Sequence, residues 1–220
     1  MKIYTELEQG TEEEPGTPHW RTLRSMKMTA SKAQCIATPA SPKELKENPN
    51  AYGVGLKTYI YELITEKYSS GTKESYTNEH IERGNLLEAD ARTLYELTTG
   101  QKVKEVGFVE MNEYVGMSPD GIVDEKNLIE IKCPADVKHM KILLDGASAI
   151  DSAYIWQVQM QMLVFGAEWC DFISYNPNFE KSMVVIRIFP DTEKFEKLQK
   201  GFEKGIELMK ELEEKLLSNK

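Results

Sequence analysis

Ser118-Pro119-Asp120-Gly121, followed closely by Glu130-Ile131-Lys132-Cys133-Pro134, is the stretch from which the fold is read. Pro-Asp-Gly has turn composition and leads into the apolar pair Ile122-Val123. Leu128 to Cys133 then reads as a second strand. Side chains two apart on a strand share a face, so Glu130 and Lys132 point one way, with α-carbons roughly 6.6 Å apart. Ile129 and Ile131 point the other way, into a core. An interior strand bearing charge on one face needs a partner or a metal for that charge. One carboxylate at a turn, a second on a strand and a lysine beside it suit a hard cation and a water, because Mg²⁺ prefers carboxylate oxygens, keeps several waters and shares itself with phosphates. The lysine could orient or deprotonate such a water, or stabilise developing negative charge. Taken alone the pattern is loose: Pro-Asp-Gly is ordinary turn chemistry, and a Glu-x-Lys pair on one strand face is commonly solvated.

The chain has 220 residues and a net charge of −9. That length gives one compact domain, 1–220, enough chain for a sizeable core. The acidic balance argues against coating nucleic acid by bulk attraction. A local basic groove remains compatible with it, since charges farther apart than about 8 Å are screened at physiological salt. No apolar run reaches the ~20 residues of a membrane-spanning helix, and the first residues lack a signal peptide's apolar core. Cys35, Cys133 and Cys170 are odd in number and widely spaced, which reads as buried thiols in a reducing compartment. His19, His80 and His139 have no zinc spacing.

Along the chain, residues 1–18 read as an irregular acidic segment. His19 to Arg24 reads as a short helix, and Thr29 or Ser31 as a candidate N-cap for the Lys32–Ile36 turn. Arg21, Arg24, Lys27 and Lys32 make this the most basic stretch of the first half; a helix N-terminus beside an arginine is a natural phosphate seat, and a capped surface helix is the plainer reading. Residues 38–53 read as a loop. Gly55 to Tyr68 is a helix with Leu56, Tyr59, Ile60, Leu63, Ile64 and Tyr68 inward, and a second helix runs from about Asn78 to Thr99. Glu88 lies at the edge of that helix's apolar stripe. Val103–Tyr114 and Val115–Val123 read as the two strands of a hairpin, followed by Leu128–Cys133. Residues 135–145 read as a helix with Val137, Met140, Ile142 and Leu143 apolar. Ser148–Phe165 is a helix with Ile150, Tyr154, Val158 and Met162 inward, and Gln157 and Gln161 on a neighbouring face where a surface amide is usual, the alternative being an amide that steadies a phosphate or a water. Trp169–Tyr175 and Met183–Phe189 are strands, and 191–220 is a long C-terminal helix. The order predicts an α/β (α+β) layer, a central mixed β-sheet flanked by helices with the acidic strand near its middle.

Several separated pieces together resemble one family. They are Trp20-Arg21-Thr22-Leu23-Arg24 with Thr29-Ala30-Ser31, Gly84 with Glu88-Ala89-Asp90-Ala91-Arg92, Ser118-Pro119-Asp120-Gly121, Glu130-Ile131-Lys132-Cys133-Pro134, and Tyr154 with Gln157-Val158-Gln159. The chain resembles the phage lambda exonuclease, or YqaJ-type viral recombinase, family of the PD-(D/E)xK nuclease superfamily, over roughly residues 18 to 190. The resemblance implies a restriction-endonuclease-like core and a 5′→3′ exonuclease on double-stranded DNA, releasing mononucleotides and leaving a 3′ single strand for recombination by annealing. It implies Asp120, Glu130 and Lys132 as catalytic residues. Glu88, Asp120, Glu130 and the Ile131 carbonyl would be ligands of one or two Mg²⁺ ions, with Mn²⁺ the alternative. Arg24, Ser31, Ser118 and Gln157 would form the pocket for a 5′-terminal phosphate. It further implies DNA ends as partner, a toroidal homotrimer, a single-strand annealing protein, no membrane, and the cytoplasm of a bacterial host for a phage- or prophage-encoded protein. Two departures stand out: the Glu13–Pro18 loop reads as an insertion, and Glu110 stands where a relative has aspartate. The competing expectations are another endonuclease or repair nuclease on the same core, and a catalytically silent DNA-end-binding scaffold. An iron–sulfur version would need four ligands, which three scattered cysteines do not supply.

Overall fold

The computed structural model describes residues 1–4, 22–69 and 79–218, with residues 79–86 described as backbone alone. Trp20, Arg21 and the Glu13–Pro18 loop lie outside the described residues, and of Gly84 only its place on a helix is described. The strands are β1 (Lys2–Tyr4), β2 (Met28–Thr29), β3 (Val103–Lys104), β4 (Phe108–Asn112), β5 (Val115–Met117), β6 (Gly121–Val123), β7 (Asn127–Lys132), β8 (Cys170–Tyr175) and β9 (Met183–Ile188). The α-helices are α1 (Ala33–Ala37), α2 (Pro42–Glu47), α3 (Val54–Tyr68), α4 (Glu79–Thr99), α5 (Asp136–Asp145), α6 (Ser152–Phe165) and α7 (Thr192–Ser218).

The expected mixed layer is present, and it is divided in two. One sheet has the order β1-β4-β5-β2 and the other β3-β6-β7-β8-β9. The long hairpin expected over Val103–Val123 therefore does not form as one unit. Its β4 and β5 pair in the first sheet, whereas β3 and β6 pair in the second. The break falls at Ser118-Pro119-Asp120, where a proline cannot donate to a ladder. β7 is the middle strand of the second sheet, antiparallel to β6 and parallel to β8. Its residues Leu128 to Ile131 are buried, as an interior strand between helical layers requires.

Helices cover both faces. α6 packs against β4, β5, β7 and β8 and against α1 and α7, while α4 packs against β7, β8 and β9. Gly121 is fixed by space rather than by backbone conformation. A Cβ there would stand 2.2 Å from Val103 Cγ1 and 3.0 Å from Ile129 Cγ1, so a larger residue would force those side chains of β3 and β7 to move away from β6.

Several local expectations need correction. Residues 38–53 contain α2, started by a capping box in which the Ser41 side chain accepts from the Glu44 amide and Glu44 answers the Ser41 amide, with Pro42 in the first turn. Thr29 precedes the short 3₁₀ turn Ala30–Lys32, but its side chain makes no capping bond. Tyr68, the last residue of α3, is 44% exposed. On α5 the expected apolar side is largely outward: Val137 is 70% exposed and Met140 43%, and the buried residues are His139 and Ile142. His139 is turned in because its Nδ1 meets Ser174 Oγ at 2.9 Å and its Nε2 meets the Lys181 carbonyl at 3.2 Å. Cys170 is buried as expected, whereas Cys35 and Cys133 are half-buried. No helix among the described residues is long and apolar enough to cross a membrane.

α7 lies across α1 and α3, and its glycines set the approach. A Cβ on Gly201 would stand 2.2 Å from the Ile36 carbonyl oxygen, and one on Gly205 2.5 Å from Met28 Sδ. Gly201→Ala, which meets rigid backbone, should destabilise the protein by about 1–3 kcal/mol, read as a lower urea midpoint with unchanged slope.

Candidate active site

Two clusters of polar side chains meet at the turn between the sheets. The first surrounds Glu130 on β7. Its side chain is 1% exposed, and an ionised carboxylate so placed must be paired. Lys132 Nζ and Gln157 Nε2 both donate to Oε1, the latter at 2.5 Å, and Gln161 Nε2 donates to Oε2 at 2.6 Å. Period-two alternation puts Lys132 beside Glu130, and the i, i+4 spacing puts both amides on the sheet-facing side of α6. Lys132 also lies 5.0 Å from the Tyr154 ring centroid. Burial alone would lower the lysine's pKa. Glu130 and then Asp120 outweigh burial and hold it above the ordinary lysine range.

Asp120 ends the inter-sheet turn, and its Oδ2 accepts the Ile131 N–H at 2.6 Å. Its carboxyl is pushed well above the usual carboxylate range, first by burial and next by Glu130, against opposition from Lys132 and the Ile131 amide. Glu88 comes from α4 and is half-buried. Burial raises its pKa first, Arg92 opposes, and Glu130 adds to the rise. Arg92 Nη2 donates to Glu88 at 2.8 Å, and its Nη1 pairs with Glu105 at 2.7 Å. Glu88, Ala91 and Tyr95 lie along one helix face. Tyr95 is anchored by donating to Asp171 at 2.8 Å, and Asp171 is itself gripped by Arg187 through two bonds of 2.9 Å. The anchor aims Glu88 toward β7.

The second cluster is built from the residues after the helical turn at 22–24. Arg24 Nη1 donates to Ser118 Oγ at 3.1 Å and Nη2 to Thr29 Oγ1 at 3.4 Å. Thr29 Oγ1 lies 3.4 Å from Ser31 Oγ and 3.3 Å from the Tyr59 hydroxyl. Burial holds the guanidinium below its ordinary range. Ser31 is exposed at the mouth of this cluster. The Ser118 carbonyl also receives Gln161 Nε2 at 3.4 Å, so the two clusters share the 118–120 turn.

The structure thus brings Asp120, Glu130, Lys132 and Gln157 together in one group and Arg24, Ser31 and Ser118 in another, with Glu88 approaching the first from α4. It places Gln157 on Glu130 rather than on Arg24. It also turns Gln161 inward, where a surface amide was expected: Gln161 has no exposed surface. Glu110 lies on β4, where Tyr4 and Lys27 engage it at 3.4 and 3.7 Å. Tyr154, Thr29 and Arg92 stand in the segments that carry the resemblance but were given no role in the site, and Gln161 was read only as a surface amide or one that could steady a phosphate or a water. A pair of glutamines one turn apart on an otherwise apolar helix was the available signal for Gln161.

Among the described residues, no three His, Cys, Asp or Glu side chains are gathered closely enough to ligate one ion as they stand. The donor chemistry nevertheless fits a hard divalent cation. Glu88, Asp120 and Glu130 supply only oxygens, and burial, with the charge of Glu130 adding to it, raises the pKa of both Asp120 and Glu88. Among the described residues no hydrogen bond engages Asp120 Oδ1.

The profile of the YqaJ-like viral recombinase domain matches residues 19–168. Similar solved structures include an alkaline exonuclease (LHK-Exo) from Laribacter hongkongensis, 28% identical with a TM-score of 0.74, covering 93% of this chain and 100% of that chain. LHK-Exo in complex with dAMP is 29% identical with a TM-score of 0.78, covering 92% and 97%. A phage related exonuclease from Haemophilus somnus 129PT shares the fold at 20% identity and a TM-score of 0.68, covering 89% and 98%. No curated protein sequence matches.

A carboxyl whose folded-state pKa is raised opposes folding at neutral pH. Asp120→Asn can still accept the Ile131 N–H and sheds the charge. In metal-free buffer at neutral pH it should gain stability on the order of 1 kcal/mol. The gain should shrink as pH falls and the wild-type carboxyl becomes neutral, which denaturant melts at several pH values would show.

Proposed function

We propose that this chain, which belongs to the YqaJ-like viral recombinase domain family, is a metal-dependent 5′→3′ exonuclease on double-stranded DNA that releases mononucleotides and leaves a 3′ single strand. The observation that carries the proposal is the shared turn: Ser118 touches Arg24 on one side and lies two residues from Asp120 on the other. An anion-binding arginine with hydroxyls thus adjoins a lysine–carboxylate cluster. The similar LHK-Exo is an alkaline exonuclease, and it is also solved in complex with dAMP, a mononucleotide. Residues 1–220 are read as one nuclease domain.

Glu88, Asp120, Glu130 and the Ile131 carbonyl are the residues that would hold Mg²⁺ or Mn²⁺. When bound, the ion would supply Lewis-acid polarisation of the scissile phosphate and charge for the attacking and leaving oxygens. The chain's own groups have separate tasks. Lys132, kept cationic by Glu130 and Asp120, donates hydrogen bonds that orient water and stabilise negative charge developing on phosphorus. Gln157 holds Glu130 on its Oε1 side, which keeps the carboxylate aimed while the lysine works. Arg24, with the hydroxyls of Ser31 and Ser118, takes the terminal 5′-phosphate by charge-assisted hydrogen bonds. That grip selects the first phosphodiester and so produces exonucleolytic rather than internal cutting. A ring of three subunits would keep the duplex threaded between cuts. A single-strand annealing protein as partner and a bacterial cytoplasmic location complete the proposal.

Two substitutions test it on linear duplex with Mg²⁺. Lys132→Ala should abolish nucleotide release, by about a hundredfold or more, with DNA binding nearly intact; normal turnover would remove the lysine from the chemistry. Arg24→Ala should slow digestion of 5′-phosphorylated ends far more than of 5′-hydroxyl ends, and equal loss on both would break the phosphate assignment. Cutting of covalently closed circles by the wild type would replace the exonuclease with an endonuclease.

A further inference from the structure

α6 is apolar on its buried side, where Val158, Met160, Met162 and Val164 pack into the core. Gln161 sits among them, one turn beyond Gln157, with no exposed surface. An amide in such a position needs partners. Its Nε2 donates to Glu130 Oε2 at 2.6 Å and to the Ser118 carbonyl at 3.4 Å, while its Oε1 is buried without a hydrogen-bond partner among the described residues. A leucine would suit the surrounding side chains and would leave no orphaned oxygen. The amide is therefore accounted for by what its nitrogen holds.

That nitrogen holds what the other partners leave. Lys132 and Gln157 both engage Glu130 Oε1, and Gln161 provides the hydrogen bond described on Oε2. The same nitrogen reaches the turn whose Ser118 hydroxyl accepts from Arg24. A continuous path thus runs from Arg24 through Ser118 and Gln161 to Glu130, crossing from the arginine cluster to the carboxylate cluster.

We propose that Gln161 is a positioning residue that fixes the second oxygen of Glu130 against the turn carrying Ser118 and Asp120, and so sets the carboxylate's orientation for a divalent ion. The inference rests on the nuclease reading above and adds to it a residue that touches neither substrate nor ion. Two carboxamide anchors on one carboxylate, one for each oxygen, leave Glu130 a single orientation. Without Gln161, rotation about the last side-chain bond is checked from the Oε1 side alone.

The test uses the full chain and two variants. Q161L removes the donor, and Q161N keeps an amide too short to reach Glu130. Binding of Mn²⁺ to the DNA-free protein is followed by electron paramagnetic resonance, together with melting temperature and steady-state digestion of a linear duplex. Loss of an outer partner of a metal ligand characteristically weakens ion binding about ten- to a hundredfold, and that loss is expected in both variants, with kcat falling and KM for duplex ends nearly unchanged. If either variant is less folded, the decision falls to the other. Wild-type Mn²⁺ affinity in a folded variant would overturn the inference, even if its melting temperature dropped. Failure of both variants to fold would also overturn it, by making Gln161 a core residue. Wild-type protein that neither binds Mn²⁺ nor digests the duplex would sink the nuclease reading itself, a result visible before any variant is compared.

Discussion

The burial of one acidic side chain, Glu130, is the constraint around which the structure is arranged. Removing such a group, when ionised, from water costs several kcal/mol unless it is paired and hydrogen-bonded. The chain meets that cost from two elements: Lys132 from the same strand, and Gln157 and Gln161 from α6. The two contacts from Gln157 and Gln161 fix the rotation of α6 about its axis and its height along β7. A core of Val, Met and Leu alone would tolerate several settings of that helix, since apolar packing is not directional.

The second constraint is the crossing of the chain from one sheet to the other. β5 belongs to the four-stranded sheet and β6 to the five-stranded one, and only Ser118, Pro119 and Asp120 lie between them. Pro119 ends the ladder of the first sheet, and Gly121 admits the chain between β3 and β7. The turn places a hydroxyl facing Arg24 and a carboxylate bonded to the Ile131 amide. Both polar clusters therefore take their positions from the same three residues, and a shift of this turn would move both.

The opposite face of the second sheet supports the arrangement. Asp171 is 2% exposed on β8 and is held by Arg187 from β9 and Tyr95 from α4, and Arg187 stacks 3.6 Å from the Trp169 ring centroid. This network ties α4 to the sheet at Tyr95, two turns beyond Glu88 on the same side of the helix. It accounts for how a glutamate at the edge of an apolar stripe comes within electrostatic reach of Glu130.

Much of this was legible in the sequence. Period-two alternation set Glu130 and Lys132 on one face of an interior strand and Ile129 and Ile131 on the other, because the pleat leaves no choice once one side is buried. The helices over 54–68, 79–99 and 192–218 followed from their apolar spacing. The capping box Ser41-Pro42-Lys43-Glu44 was written in the sequence too, but the surrounding proline, asparagine and glycine masked it. Other features depended on contacts between residues far apart in the chain. No local pattern divides 103–123 between two sheets, because strand pairing is chosen by the elements that cover each face. None turns Val137 and Met140 outward and His139 inward, since that choice was made by Ser174 and Lys181 more than thirty positions away. The inward setting of Gln157 and Gln161 was likewise decided by Glu130: an amide's own sequence neighbours cannot reveal whether a distant carboxylate awaits it, and tertiary packing alone brings the two within a hydrogen bond.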